Sequence, residues 1–268
     1  MTVDYRRHFE DHAAVYADRV VPLFAVTHEH LAAWADGLDR PARILDVACG
    51  DGRLAAAMAR MGHRVAGCDQ SAGLLRRAGR VAGAAAGAGA AAGGGPAAGG
   101  GPAAGAGRAA GGGRADGAGP VWLRADAHAL PLAAASVDAV VCNLGVQFFD
   151  RPVDALREMR RVVRPGGPIV LVVPEPPGGR AGAVDLTPRL DEAGVTVMTR
   201  IELTRTARIS DPGTLLAVWR VEMGPSFAPS RLPEADQADL ADAVLARADG
   251  TVELALRFRA YHCAGGRP

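Results

Sequence analysis

Between Tyr5 and about Leu38 the apolar residues recur at helical spacing, through Phe9, Ala13, Tyr16 and Val20 and again through Leu23, Val26, Leu31 and Trp34. Pro22 falls between these runs and Gly37 follows them, which predicts two helices and a C-terminal stop. From Arg43 the pattern changes to short apolar runs alternating with helical ones. Ile44–Val47 reads as a strand, followed by a glycine loop and a helix over Leu54–Met61. Val65–Cys68 is a second strand ending at Asp69, after which Ser71 can cap a helix running through Leu74, Leu75 and Arg77. Val121–Arg124 and Val137–Cys142 are the third and fourth strands, the latter continuously apolar as a strand buried on both faces should be. Asp154–Val163 is a helix stopped by Pro165-Gly166-Gly167, and Ile169–Val173 is the fifth strand.

Beyond Pro174 the pattern predicts a helix over Val184–Glu192, a strand over Val195–Ile201 and an amphipathic helix or helix–turn over Asp211–Met223. An acidic helix over Ala235–Ala248, a turn at Asp249-Gly250 and a final strand over Thr251–Tyr261 complete the chain. Strands alternating with helices imply a mainly parallel sheet covered on both faces. Residues 81–119 interrupt the alternation, being almost entirely Gly and Ala with scattered Pro and Arg. Each Gly costs a helix about 1 kcal/mol relative to Ala, and nothing large is present to bury. The segment is expected to be a disordered insertion, joined at the sheet edge opposite the carboxyl ends of the strands.

Composition narrows the function. The 268 residues, 49% of them hydrophobic, suffice for a sizeable core, and 30 basic against 29 acidic residues leave a formal charge of +1. That balance argues against nucleic acid as a partner, since neutralised phosphates supply much of such affinity. Four scattered cysteines, Cys49, Cys68, Cys142 and Cys263, show neither metal-site spacing nor disulfide density, so no metal is expected. The first residues lack an apolar signal core, and no apolar run approaches the ~20 residues of a membrane span; a cytoplasmic protein without stable membrane insertion is expected.

The informative stretch is Ile44-Leu45-Asp46-Val47-Ala48-Cys49-Gly50-Asp51-Gly52-Arg53-Leu54, a strand, a glycine loop and a helix. Glycine lets a ligand approach the backbone closely, and Asp69 at the end of the next strand is placed to accept both hydroxyls of a ribose. A nucleoside-containing cofactor follows. Gly50-Asp51-Gly52-Arg53-Leu54-Ala55 also fits the dinucleotide fingerprint, but Asp46 and Asp51 would repel a pyrophosphate. S-adenosylmethionine carries no phosphate and brings a sulfonium and an ammonium, which carboxylates favour.

Ile44–Leu54 resembles motif I of class I methyltransferases, D-x-G-x-G-x-G, with Ala48 in place of the first glycine, a departure that tightens the loop. The resemblance continues through Gly67–Ser71, Asp126–Pro131, Ser136–Asn143 and Ala155–Gly167, so that it spans Arg43 to Glu175 apart from the insertion. These blocks look like the small-molecule methyltransferases related to the enzymes of ubiquinone and menaquinone biosynthesis. The resemblance implies an α/β fold, Rossmann-like and doubly wound, with seven mainly parallel strands, the last antiparallel. It also implies N-terminal helices over residues 1–40 acting as a lid, a methyltransferase domain over 41–268 and a substrate-covering segment over 205–235.

Carried over position by position, the resemblance assigns Asp46 and the backbone of Ala48, Cys49, Gly50 and Gly52 to the methionine end of S-adenosylmethionine. Asp69 would bind the ribose, with Gln70 beside the adenine, Asp126 and Ala127 at its amino edge, and Asn143 near the ammonium and the transferring methyl. A small-molecule acceptor is the implied partner, apolar or aromatic to judge from Trp219, Met223 and Phe227. Methyl transfer needs a base only when the nucleophile must lose a proton, and no residue announces itself as one. His12, Tyr16 and His128 are the candidates, while Arg160, Arg161 and Arg164 read as a solvated helix face. Two alternatives stand beside this reading: a nicotinamide-dependent oxidoreductase, and a non-catalytic cofactor-binding or partner-binding protein of the same fold.

Overall fold

The computed structural model describes residues 4–90, 119–175, 185–222 and 232–265. Seven strands form one sheet: β1 (Arg43–Val47), β2 (Arg64–Asp69), β3 (Val121–Arg124), β4 (Ala139–Asn143), β5 (Pro168–Glu175), β6 (Val195–Ile209) and β7 (Val252–Gly265). Their order is β3-β2-β1-β4-β5-β7-β6. The first five pair in parallel, and β7 runs antiparallel to both of its neighbours, as the expected last strand should. The order reverses between β1 and β4, and a crevice opens at the carboxyl ends of strands where a doubly wound sheet makes such a switch.

Period-two alternation buries both faces. Leu45, Val47, Val140, Cys142, Ile169, Leu171 and Val173 point one way, onto Leu156, Met159 and Val162 of α5 (Pro152–Val162) and Leu190 of α6 (Thr187–Glu192). Ile44, Val141, Val170 and Val172 point the other way, onto Leu31 and Ala35 of α2 (Ala25–Asp36) and Leu54 and Met58 of α3 (Arg53–Arg60). Each fully buried aliphatic side chain contributes about 1.5–3 kcal/mol. Asp46 lies on the same face as Ile44, so the pleat that buries β1 also carries a carboxylate inside.

The N-terminal segment departs from two separate helices. A helical path continues from α1 (Tyr5–Val15) through a π turn at Tyr16–Val20 and a 3-10 turn at Val21–Phe24 into α2. Pro22 occupies the start of the 3-10 turn, where its missing N–H is tolerated, so it changes the helix type without breaking the path. Nor does the Gly/Ala stretch begin its irregularity at 81: α4 (Ala72–Ala90) carries the helix ten residues further, Ala offsetting the interspersed Gly, and residues 91–118 lie outside the described residues. Arg161 is likewise more than a solvated cation, since its guanidinium donates to the carbonyls of Leu130 and Leu132 and grips Glu158, fixing the loop before β4.

At the other end, β6 and β7 are both longer than their apolar patterns indicate. β5 ends opposite Arg257, while β6 and β7 remain paired to Ile209 and Val252, so this strand pair projects beyond the crevice edge of the sheet. The segment expected to cover the substrate from 205 therefore begins as sheet through Ile209. The projection packs a small core of its own, with Ile209 against Leu215 of α7 (Pro212–Ala217), Trp219, and Ala241 and Leu245 of α8 (Glu234–Arg247), and Leu23 joins it from the N-terminal turns. Residues 223–231, with Met223 and Phe227, lie outside the described residues.

Behind the sheet, α2 meets β7 through the rings of His30 and His262, with Nε2 to Nε2 2.9 Å. Burial pushes both imidazoles below their ordinary range, and His30 adds to the push on His262. The folded pair binds fewer protons than the unfolded chain, so stability present at pH 7.5 falls as the pH drops through the ordinary imidazole range near 6.5. Thermal unfolding from pH 7.5 to 5.5 should therefore show a smaller loss for His262→Gln than for the parent protein; equal slopes would mean the pair is not the titrating element.

The β1–α3 loop is the tightest part of the fold. Ala48 and Gly50 both have φ 56° and Gly52 has φ 73°, three left-handed residues in five. A Cβ on Gly52 would collide with the Trp122 ring and stand 2.7 Å from the Ala78 methyl. Gly52→Ala should destabilise the fold by roughly 2–4 kcal/mol, from overpacking and the left-handed backbone together. Ala48 tolerates its own methyl because the facing residue is Gly145, whose Cβ would lie 2.6 Å from it and 2.9 Å from the Cys142 Sγ. In denaturant unfolding, Gly145→Ala should cost about 1–3 kcal/mol and Ala48→Gly should recover part of it; additive effects would show that the two positions do not meet.

Candidate active site

Two adjoining cavities lie at the crevice. The larger, of about 740 Å³ and partly open, has the β1 loop, Asp69, Gln70 and Ser71 on its floor. Its apolar walls are Tyr5, Phe9 and Tyr16 from the N-terminal helices and Phe148 and Phe149 from the turn after β4. The rings form one cluster: Phe9 stands 4.9 Å from Phe148 and 5.1 Å from Tyr16, and Tyr5 stands 5.0 Å from Phe148. The smaller cavity, of about 390 Å³, is lined by Asp46, Cys49, Asp51, Leu54 and His28. Tyr16, Ala48, Gly50, Asn143 and Leu144 border both.

Asp46 is 1% exposed, and neither of its carboxylate oxygens makes a hydrogen bond. Burial pushes its carboxyl well above the ordinary range, the carboxylates of Asp69 and Asp51 push it further, and the nearby Ala55 N–H, outside hydrogen-bond geometry, only tempers the rise. Asn143 Oδ1, at the end of β4, is buried and without a hydrogen-bond partner as well. Acceptors buried without donors at the edge of a cavity are a site for a cation or for N–H groups. Asp51 differs: its carboxylate is answered by Arg53 at 2.7 Å, and Arg53 also donates to the Ala17 carbonyl.

Asp69 organises the floor. Its Oδ2 accepts from Gly50 N at 2.9 Å and its Oδ1 from Ser71 N at 2.8 Å, holding the β1 loop against the start of α4. Burial pushes its carboxyl up while these amides pull it back. Each oxygen keeps a second lone pair, so the cleft side can still accept hydroxyl donors. Gln70 Nε2 donates to Asp126 Oδ1 at 3.1 Å, tying the ends of β2 and β3 together, and Ala125 and Ala127 face the larger cavity between them. Asp126 itself is exposed and points along the rim, where the amide and ring of His128 hold its carboxyl below the ordinary range despite some burial.

Of the three candidate bases, Tyr16 alone borders the cavities. His128 is engaged at both nitrogens, Nδ1 with Asp126 at 2.6 Å and Nε2 accepting from Arg151 N at 3.3 Å. His12 turns its Nδ1 to the His8 carbonyl at 2.8 Å and lines neither cavity, because its helix presents Phe9 and Tyr16 inward instead. Cys49 borders the smaller cavity, while Gly52 serves from beneath, as the left-handed residue that starts α3. Among the described residues no group of three or more His, Cys, Asp or Glu is arranged to hold a metal, and no helix is long and apolar enough to cross a membrane.

Two lining residues, His28 and Gly145, and one residue bonded to the floor, Glu10, were given no role by the sequence. His28 faces the smaller cavity with its imidazole pushed down, first by burial and further by Arg53; only its position one turn from Phe24 on the inner face of α2 hints at this. Gly145 carries no motif, and Glu10 of α1 reaches the floor only through the fold.

Known proteins agree with this geometry. A methyltransferase-domain family matches residues 45–90 and 105–171. The chain is 26% identical over 188 residues to a malonyl-[acyl-carrier protein] O-methyltransferase of Pseudescherichia vulneris, covering 70% of this chain and 58% of the relative. It is 43% identical over 51 residues to the ubiquinone/menaquinone biosynthesis C-methyltransferase UbiE of Paracoccus denitrificans, covering 19% of this chain and 20% of the relative. The chain thus spans less than two thirds of the length of these curated relatives. A methyltransferase-like protein of Bacillus halodurans C-125 shares the fold, with a TM-score of 0.58 at 16% identity over 89% of this chain and 98% of that one. With the motif blocks, the reversed strand order and the carboxylate-lined crevice in one place, the chain is similar over the matched residues to S-adenosylmethionine-dependent methyltransferases.

Proposed function

We propose that this protein transfers a methyl group from S-adenosylmethionine to an apolar or aromatic small molecule. The observation that carries the reading is the buried Asp46 carboxylate, both oxygens without a hydrogen bond, beside the equally unanswered Asn143 Oδ1. The residues fit the cofactor: Asp46 and Asn143 would take its ammonium, the Ala48–Gly52 backbone its methionine chain, and Asp69 its ribose hydroxyls. Gln70, Asp126 and Ala127 would flank the adenine. Bound there, S-adenosylmethionine supplies an electrophilic methyl on a sulfonium. Phosphate would meet Asp46 and Asp51 instead of donors, which disfavours a dinucleotide.

The chain's own contribution is position and dryness. Tyr5, Phe9, Phe148 and Phe149 wall off an apolar space beside Asn143, suited to hold a flat or apolar acceptor in line with the methyl and to exclude water. Such positioning supplies up to about 7–11 kcal/mol of barrier reduction. His128 is committed to Asp126 and Arg151, so of the three candidate bases Tyr16 is the one at the cavities, and the site favours an acceptor that loses its proton readily. The helices of residues 1–40 act as a lid and the segment 205–235 as a cover on the acceptor side.

Calorimetric titration should give micromolar binding of S-adenosylmethionine and S-adenosylhomocysteine, lost in Asp69→Ala, and no binding of NADH; the opposite pattern would establish the oxidoreductase alternative. Because a cationic ligand favours the carboxylate of Asp46, binding should release protons and strengthen as the pH rises. Titrations in buffers of different ionisation enthalpy should show this release in the parent and not in Asp46→Asn. Tight binding without any methylated product from a broad acceptor screen by mass spectrometry would support the non-catalytic alternative.

A further inference from the structure

One ionised side chain of the N-terminal helices is built into the cofactor floor. Glu10, in the middle of α1, accepts from the Ser71 hydroxyl through Oε2 at 2.7 Å and from the Gly73 amide at 3.1 Å through both carboxylate oxygens. These are donors at the start of α4, where a helix leaves its first amides unsatisfied. Ser71 accepts in turn from Leu74 N at 3.1 Å, and its own amide binds Asp69 Oδ1 at 2.8 Å, while Asp69 Oδ2 holds Gly50 N. An unbroken chain of hydrogen bonds thus runs from α1 through Ser71 and Asp69 to the β1 loop. Packing reinforces it, because a Cβ on Gly73 would stand 3.0 Å from the Ala13 methyl, so α1 and α4 touch at a position that only glycine keeps open.

We propose that Glu10 is a positioning residue for the cofactor, coupling closure of the N-terminal helices to the carboxylate that receives the ribose. The proposal rests on the cofactor reading above. The bonds from Ser71 and Gly73 hold the Glu10 carboxyl below its ordinary range, so it is ionised throughout the neutral range and gives α4 the negative partner that its N-terminus favours. Arg76 stands 3.7 Å from the same carboxylate and keeps α1 in register along α4. Removing Glu10 frees α1, and with it Phe9 and Tyr16, from the cavity floor. It also leaves Ser71 without the acceptor that orients its hydroxyl. Ligand on Asp69 and helix on Ser71 then stabilise each other, since both act on the Asp69–Ser71 segment.

The test measures S-adenosylhomocysteine affinity by calorimetry and amide exchange over residues 5–15, with and without that ligand. Glu10→Ala should weaken binding about tenfold, the factor that one charge-assisted hydrogen bond carries. Glu10→Gln, which retains an oxygen for the Ser71 hydroxyl, should recover part of the loss. The losses in Glu10→Ala and Ser71→Ala should not multiply in the double variant, and Asp11→Ala, on the solvent side of the same helix, should bind within twofold of the parent. Ligand should slow exchange of α1 in the parent and not in Glu10→Ala, and in turnover the KM for S-adenosylmethionine should rise while kcat holds. Parent-like affinity and ligand-induced protection in Glu10→Ala would overturn the coupling. If the parent binds no S-adenosylhomocysteine, the cofactor reading fails on its own, and faster exchange of α1 in ligand-free Glu10→Ala still decides whether Glu10 docks the helix.

Discussion

The chain must pass from β1 to α3 in five residues beneath the ring of Trp122, and the rest of the site depends on that constraint. Three left-handed residues make the turn possible, and the absence of a side chain at Gly52 lets the ring and the Ala78 methyl close over it. The turn is so short that its Gly50 amide meets Asp69 across the floor, while those of Cys49 and Gly52 close on the Cys68 and Cys49 carbonyls. Asp46 stays inside the sheet at the edge of the smaller cavity, where its charge is costly without a partner. A looser turn would widen the floor and let water solvate that carboxylate.

Much of the fold was legible because its signals are local. Continuous apolar runs at Ala139–Cys142 and Ile169–Val173 announce strands buried on both faces, and glycine between a strand and a helix announces the loop. The extra length of β6 and β7 was not legible. Beyond Ile201, β6 pairs with β7 alone and its Glu202, Thr204 and Arg205 leave too few apolar positions to reveal the strand, while β7 runs on past Tyr261 through His262–Gly265. The helical path through Pro22 was hidden because proline is read as a break, whereas π and 3-10 turns absorb it.

In the site, residues named from motifs lie at the crevice where strand ends carry them, and those placed by tertiary packing had no local signal. Asp46, Asp69 and Asn143 lie in strands, and Ala48 and Gly50 just after one, whose ends the topology brings together. His12 and His128 were attractive for their chemistry alone; a helix face and a carboxylate decide against them. Glu10 and His28 sit on helices whose docking no local pattern encodes, and each matters through a partner dozens of residues away.

Ala48 and Gly145 make one packing unit of two distant stretches of chain. A methyl at position 48 fits opposite a residue without one, and a side chain at 145 would meet both that methyl and the Cys142 sulfur. An exchange at either position therefore has to be judged together with the residue at the other, nearly a hundred positions away in the sequence.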